Sequence, residues 1–123
     1  MSKSKEIVLA VVGSRQFDDY QLLCRTLDQY EGIGHIITGD AKGADSLALK
    51  YAKEKNIPWT ECIAEWDKLG KAAGHIRNKD IVGGADELVA FWDGSSKGAK
   101  NSIDLAKKSG KPTQVVLFEN KNE

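Results

Sequence analysis

The sequence has no surplus of charge of either sign: 18 Lys and Arg balance 18 Asp and Glu in 123 residues. Proteins that live on duplex DNA or on acidic membranes carry a basic excess. Duplex nucleic acid is therefore not an expected partner, although a local basic cleft stays open. Cysteine is scarce too. Cys24 and Cys62 lie far apart and match no metal-ligand spacing. Each falls on an apolar repeat, so both are expected as buried free thiols, with no metal, in a reducing cytoplasm. Long apolar runs are missing: none approaches the roughly 18 residues of a membrane span, and no membrane partner is expected. Met1 to Lys5 are polar and no signal-peptide apolar region follows them, so no leader is expected. The hydrophobic content of 41% and charged content of 29% exclude a disordered chain. The length suits one domain over residues 1–123, with frayed tails at 1–5 and 119–123, since two halves would each be short of core.

Glycine is what the chain has in excess: 12 of 123 residues, against an average of about 7%. Around these glycines, strand and helix patterns alternate. Ile7 to Val12 is a continuous apolar run, as in a strand buried on both faces. Asp18 with Gln21 reads as a capping box opening the first helix, with Phe17 and Leu22 as the staple. Tyr20, Leu23, Leu27 and Tyr30 continue at helical spacing until Gly32 and Gly34. His35 to Thr38 is a short second strand. Ala44, Leu47, Ala48, Tyr51 and Ala52 trace a second helix, and Trp59 to Ala64 a third strand. A loop from Glu65 to Gly74 carries Trp66. A third helix is expected over 72–81, a fourth strand over Leu88 to Trp92, a fourth helix around Ile103 to Ala106, and a last strand over Gln114 to Phe118. This order predicts an α/β fold: a three-layer, Rossmann-like open parallel sheet of about five strands with helices on both faces.

Open parallel sheets bind ligands outside the carboxyl ends of their strands, at the switch in strand order. Seven glycines fall on that edge (Gly13, Gly39, Gly43, Gly70, Gly74, Gly94 and Gly98) and five are read as helix terminators. Two glycine-containing turns lead into helices, Gly39-Asp40-Ala41-Lys42-Gly43-Ala44-Asp45 and Asp93-Gly94-Ser95-Ser96-Lys97-Gly98. Backbone N–H groups and the helix dipole at such turns favour an anion. Lys42 and Lys97 suit phosphate, while Asp40, Asp45 or Asp93 could accept from ribose hydroxyls. Neither the dinucleotide fingerprint nor the Gly-Lys-Ser/Thr phosphate loop is present. Other readings stay open: Asp45 as a helix cap, Asp93 as a turn residue, Trp92 and Trp59 as packing, His35 as structural. Trp66, beside glycines, is the base-stacking candidate. His75 has no nucleophile paired with it by motif.

Val12-Gly13-Ser14-Arg15, Gly39 to Asp45, Ala73-Gly74-His75-Ile76-Arg77-Asn78 and Phe91 to Gly98 together resemble the YspA/cpYpsA-related branch of the SLOG superfamily, over about Ile7 to Leu117. The superfamily also holds DprA and the LOG phosphoribohydrolases. The resemblance implies a Rossmann-like sheet that binds a nucleotide or nucleotide-derived signal. Gly13, Ser14 and Arg15 would meet phosphate or base. The two turns would hold phosphate, Arg77 and Asn78 would flank it, and Trp66 would stack on the base. The resemblance further implies a homodimer or higher homo-oligomer, and a role as sensor or sequestering protein, bacterial or phage. LOG enzymes cleave the N-glycosidic bond of nucleoside monophosphates and share an Arg that matches Arg77. Counted from Gly98, however, their catalytic Glu falls on Ser102, and their Pro-Gly-Gly is replaced by Gly94-Ser95-Ser96. Two function classes follow: a ligand-binding module, or a nucleotide hydrolase using Asp40, Asp93 or Asp104 instead. Single-stranded DNA binding is a weaker third reading, because the charge is neutral and stacking platforms are few.

Overall fold

The computed structural model describes residues 6–119. The tails expected at 1–5 and 119–123 lie outside the described residues, except for Glu119. Five strands, β1 (Ile7–Gly13), β2 (Ile33–Gly39), β3 (Trp59–Cys62), β4 (Glu87–Trp92) and β5 (Thr113–Leu117), form one all-parallel sheet in the order β3-β2-β1-β4-β5. Between them run α1 (Tyr20–Asp28), α2 (Ala44–Glu54), the short α3 (Trp66–Leu69), a single 3₁₀ turn (Gly70–Ala72), α4 (Ala73–Gly83) and α5 (Lys97–Lys108). The expected α/β, Rossmann-like class is what the chain adopts.

The continuous apolar run of β1 has a direct packing cause. Leu9 and Val11 meet α1 and α2 on one face, through Leu23, Leu27, Ala48 and Tyr51. Ala10 and Val12 meet α4 and α5 on the other, through Ile81, Val82, Ile103 and Ala106. Alternate residues of a strand point to opposite faces, so a strand covered on both must be apolar throughout. Each large apolar side chain buried this way contributes about 1.5–3 kcal/mol.

Several boundaries move. Asp19, not Asp18, caps α1: its Oδ1 accepts from Leu22 N–H at 3.0 Å. The Asp18-Asp19 doublet offers two registers, and the one adopted leaves Phe17 free to enter the core. There Phe17 stacks on Phe91 with ring centroids 4.7 Å apart. Gly34 is not a helix terminator but lies inside β2. β3 stops at Cys62, two residues early, and as an edge strand it leaves Trp59 41% exposed rather than packed. The expected loop after Glu65 contains α3 and the 3₁₀ turn. Cys24 and Cys62 are free but only half-buried.

The strand order matters most for function. From β1 the chain runs outward through β2 to β3. It then crosses back over the sheet through α4 and lays β4 on the other side of β1. The connections leaving β1 and β4 therefore diverge to opposite faces and open a crevice at their carboxyl ends.

Candidate functional site

A cavity of about 310 Å³ fills that crevice. This is the small end of the roughly 300–1,000 Å³ typical of ligand clefts. Its walls come from four places. The β1 exit gives Gly13, Ser14, Arg15 and Gln16; the β2–α2 connection gives Ala41 and Asp45; α4 gives Arg77, Asn78 and Ile81; and the start of α5 gives Ser96, Lys97, Gly98, Ala99 and Ser102.

Ser14 ties the floor together. Its N–H donates to Phe91 O at 2.9 Å, its Oγ lies 2.8 Å from Ser96 Oγ, and that same Oγ accepts from Asp93 N–H at 3.1 Å. Asp93 itself turns away from the cavity. Its Oδ1 accepts from Ser95 N–H (2.9 Å) and Ser96 N–H (2.8 Å), which holds the carboxyl below its ordinary range and settles Asp93 as the turn residue. Trp92, half-buried, donates Nε1–H to Ser96 O at 3.0 Å. With Ser96 so committed, no side chain caps α5. The first-turn N–H groups of Lys97, Gly98 and Ala99, which have no partner within a helix, stand at the cavity.

The opposite wall is organised around Arg77. It forms an ion pair with Asp40 through one terminal nitrogen, and its Nε donates to Asn78 Oδ1 at 3.1 Å. Asn78 Nδ2 in turn donates to Asn101 Oδ1 at 2.9 Å. This chain of contacts joins the β2–α2 connection, α4 and α5. Gly39 makes room for it: a Cβ there would stand 2.7 Å from Asp45 Oδ2 and 3.1 Å from the Arg77 guanidinium. Gly43, at φ 77°, has no such alternative residue, since a side chain would also strike the carbonyls of Ser14 and Arg15.

Asp45 is the carboxyl that lines the cavity. It is 6% exposed and accepts from Ala41 N–H at 3.1 Å. Burial pushes its pKa up to about 6, held back by that N–H, by Arg77 and by the Thr38 hydroxyl. It gives α2 no side-chain cap; it closes the preceding loop instead.

Ten of the residues singled out from sequence line the cavity: Gly13, Ser14, Arg15, Ala41, Asp45, Arg77, Asn78, Ser96, Lys97 and Gly98. The other ten do not. Gly39 and Asp40 support Arg77, Gly43 and Ala44 sit behind Ser14, and Lys42, Gly94 and Ser95 are exposed at the turns. Asp93 holds its turn. Trp66 is 51% exposed on α3 and lies against Gly74, outside the cavity. Sequence reasoning missed Gln16, Ile81, Ala99 and Asn101 as parts of the site. The four-residue helical step from Arg77 reaches Ile81, which is the signal that could have found that residue.

A family model described as the YspA, cpYpsA-related SLOG family matches residues 7–69, just over half of the chain, from β1 through α3. The chain belongs to this family. No curated protein and no solved structure matches it. The matched span of this SLOG chain supplies the β1 and β2 edges of the cavity, while Arg77, Asn78 and the start of α5 lie beyond it. Among the described residues, no group of three or more His, Cys, Asp or Glu could hold a metal ion. No described helix is long and apolar enough to cross a membrane. Membership suggests a nucleotide-related role.

Proposed function

We propose that this protein binds a nucleotide or nucleotide-derived phosphorylated ligand in the crevice between β1 and β4, and acts by sensing or sequestering it. One observation carries the reading. Arg15, Arg77 and Lys97 line the same 310 Å³ cavity as the uncapped first turn of α5. Phosphate would sit against the Lys97 to Ala99 N–H groups, where the helix dipole adds to the side-chain charges. Arg77, 12% exposed in its side chain, holds Asp40 with one terminal nitrogen and Asn78 with Nε, which leaves its other terminal nitrogen as the donor for a phosphate.

Binding without cleavage is favoured by the three carboxylates that would have to stand in for the LOG glutamate. Asp40 is paired with Arg77, Asp93 with its own turn, and Asp104 with Lys100 at 2.8 Å on an exposed helix face. None of the three lines the cavity. Ser102, at the position of the LOG glutamate, does line it but brings a hydroxyl. Single-stranded DNA binding is weaker still, because the cavity is lined by no aromatic residue. We also place the protein in the cytoplasm as a homo-oligomer. Exposed Ile63, Trp66, Leu69 and Ile76 around α3 and α4 are its apolar surface for self-association, and light scattering tests this.

The deciding experiment is to denature the purified protein and identify released small molecules by mass spectrometry, then incubate the protein with candidate nucleotides. Recovery of an intact nucleotide-like ligand supports the reading. Turnover to free base or phosphate replaces it with the hydrolase.

A further inference from the structure

The cavity that would take a phosphorylated ligand also contains a buried carboxyl, and both charges cannot be accommodated there at low cost. Asp45 and Arg77 converge over Gly39, at 2.7 Å and 3.1 Å from the position a Cβ would occupy. Asp45 is 6% exposed, so solvent screens it little. The groups facing it can be counted. Ala41 N–H and the Thr38 hydroxyl approach from β2 and its connection, Arg77 approaches from α4, and Asp40 adds a second negative charge beside Arg77. Arg15 and Lys97 stand across the same cavity.

In formal charge, Arg15, Arg77 and Lys97 against Asp40 and Asp45 leave one net positive charge, too little for a dianion. Neutralising Asp45 leaves two. Of the two carboxyls, Asp45 is the one that can give up its charge cheaply. Asp40 is more exposed and keeps its ion pair with Arg77. Asp45 is buried, and desolvation already works against its charged form.

We propose that Asp45 is the charge selector of this cavity: a dianionic phosphate group enters with uptake of one proton on the Asp45 carboxyl, so that the site distinguishes ligands by charge as well as by shape. This rests on the reading of the cleft as a phosphate site. The sign follows from linkage. A ligand that favours protonated Asp45 raises its titration midpoint, so affinity is greatest at low pH and falls as pH rises through the midpoint of the complex.

Sulfate is the probe, a dianion that does not itself titrate between pH 4 and 8. The Asp45 side-chain carbon would be followed by NMR across that range in the wild-type protein, with and without sulfate, while the Lys97, Gly98 and Ala99 amides report occupancy. The expected result is a midpoint for Asp45 higher by about one pH unit or more in sulfate, equivalent to about a tenfold fall in sulfate affinity across the transition. Asp45→Asn should retain sulfate binding and lose that fall. If the three amides report binding and the Asp45 midpoint stays put, proton coupling is overturned and the phosphate site stands. If they report no binding at any pH, the phosphate site is overturned and the charge selector with it.

Discussion

The two helix-entry turns that flank the cavity look alike in sequence, and the structure uses them in opposite ways. The β2–α2 turn is spent on internal contacts. Ala41 N–H goes to Asp45, Ala44 N–H goes to Ser14 O at 3.4 Å, and the space beside Gly43 is filled by the backbone of Ser14 and Arg15. The β4–α5 turn keeps its first helical amides uncapped, and a Cβ at Gly98 would meet nothing within 4 Å. One glycine-rich turn builds the wall and the other faces the space. Glycine count alone cannot separate these two jobs, because both need a backbone without a side chain.

The largest effect should therefore fall on the built side. Gly43→Ala should lower unfolding stability by about 3 kcal/mol, from a left-handed backbone angle combined with overpacking, and a denaturant melt reads it. The next tests the wall's carboxyl. Asp45 has its folded pKa raised from 3.8 to about 6, so the folded state binds the proton more tightly than the unfolded one. Its contribution is favourable below pH 4 and is lost as pH rises from about 4 to 6, by up to about 3 kcal/mol at 1.36 per unit. Asp45→Asn should remove that segment of the stability–pH curve. An unchanged curve would show that Asp45 is not desolvated as described.

Smaller effects sharpen the open side. Arg77→Ala should weaken ligand binding by about 1.5–3 kcal/mol, the scale of a hydrogen bond to a charged group, while thermal unfolding shows the fold intact. Gly98→Ala should change stability by no more than about 0.5–1 kcal/mol, since alanine suits a helix better than glycine, yet it should weaken binding, because the new methyl group enters the cavity. If Gly98→Ala instead unfolds the protein and leaves affinity alone, the contrast between the turns is wrong. Least of all, Asp104→Ala should alter neither binding nor, beyond about 0.5 kcal/mol, stability, because its ion pair with Lys100 is a surface one.

Much of the fold was legible because burial writes itself into composition. The strands β1 and β4 are covered on both faces and read as unbroken apolar runs. β3, on the edge, was overextended because an exposed strand carries a weaker signature. The doublet Asp18-Asp19 hid the start of α1, since either residue caps. The site was half legible for a similar reason. Local turns announce themselves, and so the residues of both turns stand out in the sequence. Which of them face the cavity depends on contacts between distant elements. Asp93 and Trp66 had the right chemistry, but one is committed to its turn and the other to Gly74. Asn101, a link in the chain from Arg77 to α5, has no local signal at all; only the packing of α4 beside α5 gives it a role.

The placement of β4 beside β1 also bears on how the protein is made. Until the segment to Trp92 has been synthesised, β1 has a partner on its β2 side only, and its other edge, which later bonds to β4 over Leu9 to Gly13, is bare. A nascent chain or a proteolytic fragment ending near residue 69 would thus present an apolar strand with unsatisfied backbone groups, the kind of edge that recruits other chains. The chain that covers this edge leads directly into the α5 wall of the cavity, so one stretch of sequence supplies both. Until Thr113 to Leu117 pair with it, the outer edge of β4 is bare in its turn, so covering this side of the sheet takes both of the last two strands.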